Sequence, residues 1–476
     1  MREMTGKTEN RGRFLAWVFL LVSLITGLGI AWFTPMGEMP DEPAHVARAS
    51  GLLTGQILAA HQPGTDGAGV FIPAGIGWVN AVELWPTLNG RALPAPERAR
   101  AESFGWAGAP SFFPTQMTQY FPALYIPATL GLAVGRDCGL SPLKSLYLGR
   151  IFALLSFCLL GFAALRVARY GQALIFAVLL LPMTLYLAAS FNQDGQMLAL
   201  FCLAAALLTH ERPGPSLPWG VALVLLMLIT CSKPPYGVLM LACLLPFGAG
   251  FWRRALLVAL CVLPPLAWLD ITIHTSLVAW GRPPYHPGPL WPGDRGVTFT
   301  TLHPADNMRV LLAHPAQILL LPARFLWFDW GDTWRAILGE FGWQCVKLEA
   351  WRYGGWVIAL GAALGALMTT VPRERQLAGR LFALGLIIAT FIATVLALYV
   401  TFTNAGMPMV LGINGRYFLP LPPFLLLAAP RLGGWLAPTL RLRLEWLLTL
   451  PVLVMAVLDA YGLPAFLYHI YQMPGP

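Results

Sequence analysis

The chain has 476 residues, of which 57% are apolar and 11% charged, and its formal net charge is +9 at pH 7. A mean hydropathy of +0.64 over this length excludes a soluble globular protein. The apolar runs do not alternate, which excludes a β-barrel, and no basic cluster interleaved with aromatics points to nucleic acid; the positive charge lies in loops, where it sets orientation.

Arg2, Lys7, Arg11 and Arg13 precede an apolar run over 14–33. Basic residues before so long a run, with no small-residue cleavage site, read as a retained signal anchor with a cytoplasmic N-terminus. Pro40-Asp41-Glu42-Pro43-Ala44-His45 follows directly. Two adjacent carboxylates and a histidine thus stand where the first membrane helix meets water. Such charge is costly near lipid, ~2.5–3.5 kcal/mol per residue at mid-helix, so it marks function by default. Asp41 is placed both to cap a helix starting at Glu42, with Pro43 in its first turn, and to react. His45, one turn on, is placed to orient Asp41.

Residues 34–145 read as a first external loop with juxtamembrane helices. Its apolar run Phe121–Gly135 would reach only ~22 Å as a helix against a core of ~30 Å, and it carries Pro122 and Pro127. It is expected to lie along the outer leaflet or re-enter it. Further spans are expected at 146–165, 172–190, 195–210, 217–232, 235–250, 255–271, 354–371, 381–401, 418–430 and 444–463, about eleven in all with 14–33. The C-terminus is then outside. Every inner segment becomes basic: the N-terminus, Arg166/Arg169, Arg212, Arg253/Arg254, Arg373/Arg375/Arg380 and Arg431/Arg441/Arg443. A second long external loop covers 272–353. The whole chain, 1–476, reads as a single transmembrane domain without internal repeats.

The same topology gathers the remaining polar outliers on the external face. Asp194 lies in Asn192-Gln193-Asp194-Gly195, Lys233 in Ser232-Lys233-Pro234-Pro235, and Arg416 with Tyr417 in Asn414-Gly415-Arg416-Tyr417. Arg150 heads the second span. Acids and cations converging at one membrane face suit a phosphorylated ligand: the cations hold phosphate and a carboxylate serves as general base. Each residue also has a plainer reading. Asp194 would cap a helix, Lys233 would snorkel, Arg416 would anchor lipid headgroups and Arg150 would pair with an acid inside the bundle. The seven Cys are scattered and mostly apolar in context; Cys138 and Cys345 are the two placed to pair externally, with separate packing the simpler reading. No zinc spacing, Walker, Rossmann or GxSxG pattern occurs.

Seven strings stand in order along the chain: PDEPAH, YFPALY, LGR, LPMTLYLAASFNQDG, SKPPYG, GEFGWQ and NGRYFLP. Together they resemble a bacterial family of predicted multispanning membrane proteins of unknown function within the GT-C superfamily of membrane glycosyltransferases. The resemblance implies an all-α polytopic membrane protein with a GT-C-like bundle in the bacterial inner membrane. It implies transfer of a sugar from a polyprenyl-phosphate carrier to an envelope glycan or lipid acceptor, with inversion. Asp41 would be the general base, with Glu42 beside it as a second catalytic carboxylate that positions the acceptor. His45 and Asp194 would position the acceptor; Arg416, Lys233, Arg150 and Tyr417 would bind the donor phosphate. A divalent metal held by Glu42 and Asp194 is the alternative use of those acids. No DxD or WWD-type signature occurs, and the tail after the last span is short for a soluble acceptor domain. Two non-catalytic alternatives remain: a transporter or flippase of lipid-linked saccharides, and an envelope-assembly scaffold. A transporter would call for inverted repeats or charges deep within spans, and the sequence shows neither.

Overall fold

The computed structural model describes residues 2–63, 67–81, 94–210, 214–248, 250–276, 303–372, 376–432, 434 and 437–473. Arg212, Arg373, Arg375 and positions 277–302 of the second loop lie outside them.

Helix α1 (Arg2–Phe33) leads into α2 (Glu42–Leu53), which Asp41 precedes. A small antiparallel sheet follows, with strands β1 (Ala60–His61), β2 (Ala68–Ile72) and β3 (Ser111–Pro114) in that spatial order. It was not expected in an all-α loop. Phe71 packs edge-on against Phe112 across β2 and β3, and Val70, Ile72 and Phe113 are buried in a core shared with α2. Helices α3 (Ala74–Val79) and α4 (Ala95–Ser103) complete this cap.

A 3-10 turn, Pro122–Tyr125, then opens α5 (Ile126–Asp137). Its 12 residues extend only ~18 Å, too short to cross a bilayer. It packs along α6 (Pro142–Val167). Next come α7 (Gln172–Leu180), α8 (Pro182–Ala188), α9 (Gln193–Leu208), α10 (Leu217–Ser232) and α11 (Phe251–Thr275). Helices α12 (Pro304–Ala313), α13 (Gln317–Phe328) and α14 (Trp330–Gly339) lead to a hairpin of β4 (Glu340–Phe341) and β5 (Val346–Lys347). The chain closes with α15 (Ala350–Thr370), α16 (Leu377–Phe402), the one-turn α17 (Leu425–Ala428) and α18 (Pro438–Gln472).

Among the described residues six helices are long and apolar enough to cross a membrane, or up to eight if two bent pairs each count as one span. Three of the eleven expected spans, 172–190, 235–250 and 418–430, are interrupted, and proline is the reason. Pro182 separates α7 from α8, and α8 meets α9 at a bend of 118°. Pro234 and Pro235 turn the expected span 235–250 into a 3-10 helix, Pro234–Leu244. Prolines 420, 422 and 423 reduce the expected span 418–430 to 3-10 turns and α17. Each lacks a backbone donor and clashes with the preceding turn.

Contacts sort the helix ends. Arg11 pairs with Glu445, Arg169 Nε donates to His210 Nδ1 at 3.1 Å, Arg254 Nη2 donates to the Gly214 carbonyl at 3.2 Å, and the Leu432 amide donates to the Met368 carbonyl at 2.8 Å. The described basic segments therefore share one end of the bundle. At the other end Gln472 Nε2 donates to the Phe33 carbonyl at 3.0 Å, tying α18 to the exit of α1. Cys138 is exposed, Cys345 is half-buried and both are free, so the two do not pair.

Candidate functional site

The site forms at the end opposite the basic segments. Asp41 occupies the N-cap position of α2, yet its side chain makes no cap hydrogen bond. The backbone there is left-handed, φ 58 and ψ 14, a conformation that costs an L-residue roughly 1–2 kcal/mol. The expected capping role is corrected: helix α2 starts without the carboxylate, which turns instead to the guanidinium of Arg416. Neighbouring contacts hold the strained turn. Asn192 Nδ2 donates to the Pro40 carbonyl at 3.1 Å, and the Gly37 amide donates to Glu42 Oε2 at 2.9 Å.

Asn192, not Asp194, caps α9: its Oδ1 accepts from the Asp194 amide at 2.9 Å. That leaves the Asp194 carboxylate to receive Lys233 Nζ at 2.6 Å and to lie 3.6 Å from Arg416 Nε. Lys233 does not snorkel; it is mostly buried and sits 4.8 Å from the centre of the Tyr417 ring. Asn414 Oδ1 accepts from the Arg416 amide at 3.0 Å and so fixes the turn that carries the guanidinium. Arg416 Nη2 also donates to the Tyr417 hydroxyl at 3.2 Å, while Nη1 makes no hydrogen bond within the described chain.

Asp41, Asp194, Lys233 and Arg416, together with Tyr417, thus form one network. Arg416 is only 6% exposed, whereas the Asp41 side chain keeps 32% of its surface open. Burial alone would raise the Asp41 carboxyl; Arg416 and His45 outweigh it and hold the group below its usual range. His45 is turned elsewhere. Its Nδ1 meets the Tyr125 hydroxyl at 2.7 Å and its ring stacks on Tyr120. Burial pushes the His45 imidazole down to about 4, against the pull of Asp41 and Asp194.

Glu42 and Arg150 stand apart from this network. Both side chains are fully buried. Arg150 donates to Glu42 through Nε at 2.8 Å and Nη2 at 2.5 Å, and to the carbonyls of Ala31, Thr34 and Pro35. No N–H remains for a phosphate. The Phe191 amide adds a further donor to Glu42 at 3.3 Å. Glu42 and Asp194 therefore do not converge on a metal; each is held in its own ion pair. Among the described residues no group of three or more His, Cys, Asp or Glu could hold a metal ion.

Sequence reasoning missed Asn192, Asn414, Tyr120 and Tyr125, which brace the charged residues. The signal was present, since all four stand inside or beside the ordered strings. Next to Lys233 an open cleft of about 150 Å³ runs between the 3-10 helix Pro234–Leu244 and α16. A second cleft of about 250 Å³, with Asp329, Asp332 and Glu340 in its wall, lies where Gly415 meets α14.

The model of the family described as predicted membrane protein (DUF2142) matches residues 24–425, and the chain belongs to that family. No curated protein matches. Among solved structures, the chain is similar to ArnT from Cupriavidus metallidurans bound to undecaprenyl phosphate, at 14% identity over 95% of this chain and 76% of that one, with a TM-score of 0.44.

Proposed function

We propose that this member of the predicted membrane protein family is a GT-C-type glycosyltransferase. It moves a sugar from a polyprenyl-phosphate carrier to a hydroxyl of an envelope glycan or lipid, at the outer face of a bacterial inner membrane. One observation carries the reading: the buried Arg416 guanidinium, braced by Asp41 and Asp194, keeps Nη1 without a hydrogen bond among the described residues. A buried guanidinium with a free donor is a receptor for a phosphate oxygen. Lys233 supplies a second positive charge on the other side of Asp194.

The resting ion pair also sets the order of events. While Arg416 holds Asp41, the carboxylate is a weak base. A phosphate arriving at Arg416 competes for that guanidinium, and Asp41 becomes more basic as the pairing loosens. Asp41 then takes the proton from the acceptor hydroxyl. That oxygen bonds to the anomeric carbon as the bond from this carbon to the phosphate oxygen breaks. The electron pair leaves with the phosphate, and configuration inverts. Arg416 and Lys233 stabilise the departing charge in a site largely shielded from water. Glu42 and Arg150 hold the backbone that presents Asp41, a positioning role in place of acceptor or phosphate contact. His45 and Asp194 shape the acceptor side.

Native mass spectrometry of the purified protein with polyprenyl phosphate tests the donor half. The parent should bind, and folded Arg416→Ala should bind roughly tenfold or more weakly, in a protein less stable than the parent because Asp41 and Asp194 lose their shared cation. Equal binding by a folded Arg416→Ala would contradict the assignment. Binding without turnover of any carrier-linked sugar would favour a lipid-linked saccharide transporter.

A further inference from the structure

The ion-pair network leaves the cleft beside Lys233 unfilled. Its cavity of about 150 Å³ falls below the roughly 300–1,000 Å³ of a drug-sized site and admits only a small group. Tyr120, Ser232, Lys233, Tyr236, Thr394 and Tyr417 are among its walls, and among the described residues Lys233 is the single charged one that lines it. Ser232 is 2% exposed, and its hydroxyl makes no hydrogen bond within the described chain. A buried hydroxyl without a partner is destabilising, and a ligand that supplies one relieves the cost. The Tyr120 and Tyr417 rings stand 5.8 and 4.8 Å from Lys233 Nζ, so aromatic faces and an unused hydroxyl surround one ammonium group. A sugar hydroxyl can supply the partner that the Ser232 hydroxyl lacks.

The charge of the walls is selective. Asp194 is engaged behind Lys233 and does not line the cleft. A ligand ammonium group entering there would lose its water, meet no carboxylate and face Lys233. We infer that this cleft is the subsite for the transferred sugar, that Ser232 contacts a sugar hydroxyl, and that the site takes a neutral or acidic sugar and rejects one with a free amino group. The inference rests on the carrier-linked donor reading above and adds the class of sugar.

The test titrates the full chain in lipid nanodiscs with polyprenyl phosphate, polyprenyl-phosphate-glucose and polyprenyl-phosphate-glucosamine. The glucose lipid should bind more tightly than bare polyprenyl phosphate, and the glucosamine lipid roughly tenfold or more weakly than the glucose lipid. Ser232→Ala should weaken the glucose lipid by about three- to tenfold and leave bare polyprenyl phosphate unchanged. Glucosamine lipid bound as tightly as glucose lipid would overturn the exclusion of amines. An unaltered glucose lipid affinity in Ser232→Ala would overturn the subsite. If bare polyprenyl phosphate fails to bind the parent, the donor reading falls first and this inference with it. The three failures are thereby told apart.

Discussion

Asp41 and Glu42 are adjacent in sequence and opposite in use. Glu42 is sealed with Arg150 and fed by two backbone amides, while Asp41 is left open and joined to a cation that has a donor to spare. The sequence marked both as candidates and could not divide them, because the division depends on the left-handed turn at Asp41, which sends the two side chains different ways. Removing one partner of a buried pair leaves an uncompensated charge, so Glu42→Gln should destabilise the protein by about 3–5 kcal/mol. Thermal unfolding in detergent would show this, and an unchanged midpoint would deny Glu42 its positioning role. His45 gives a second test. Its folded-state value of about 4 lies below the ordinary 6.5, so the unfolded chain binds the extra proton first as pH falls. Stability should therefore decline between about pH 6.5 and pH 4, by on the order of 2–3 kcal/mol, and His45→Gln should flatten that slope. A parent curve flat over that interval would contradict a neutral buried imidazole. Asp41, whose folded value is depressed, adds its loss only at more acid pH, as pH falls through that value.

The elements that bring the charges together rest on two glycines. A Cβ on Gly195 would stand 2.6 Å from the Ala188 Cα, where α9 folds back on α8; a Cβ on Gly415 would stand 2.4 Å from the Ile337 amide nitrogen of α14. In both cases the obstacle is backbone, so one element must move. Gly415→Ala should shift the turn that carries Arg416, cost about 1–3 kcal/mol and weaken polyprenyl phosphate binding. Full binding in that variant, read by native mass spectrometry, would show that the turn tolerates displacement. These close approaches were not legible in the sequence, although the strings FNQDG and NGRYF contained them. Long unbroken helices were legible, since 14–33, 146–165 and 381–401 all fall within observed ones. Broken ones were not, because hydropathy counts apolar residues and is blind to the donor that each proline removes. The sheet within 34–145 escaped for a similar reason: its strands are short and Gly69 interrupts β2.

Across the whole molecule, charge is sorted between two ends, with basic loops at one and the ion-pair network at the other. The positive-inside rule predicts that the network faces outward. Cys138, exposed at the turn between α5 and α6, is a native reporter for that face. A membrane-impermeant maleimide should label it in intact cells, and Cys138→Ser should abolish the signal. Labelling only after permeabilisation would reverse the orientation. We propose that Asp41 is a base whose strength the donor phosphate controls. Transfer from a polyprenyl-phosphate sugar by purified Asp41→Asn protein tests it most directly. Turnover should fall ~10²–10⁴-fold, with carrier-lipid binding and thermal stability close to the parent. Sugar transfer by Asp41→Asn at the parent rate would contradict it.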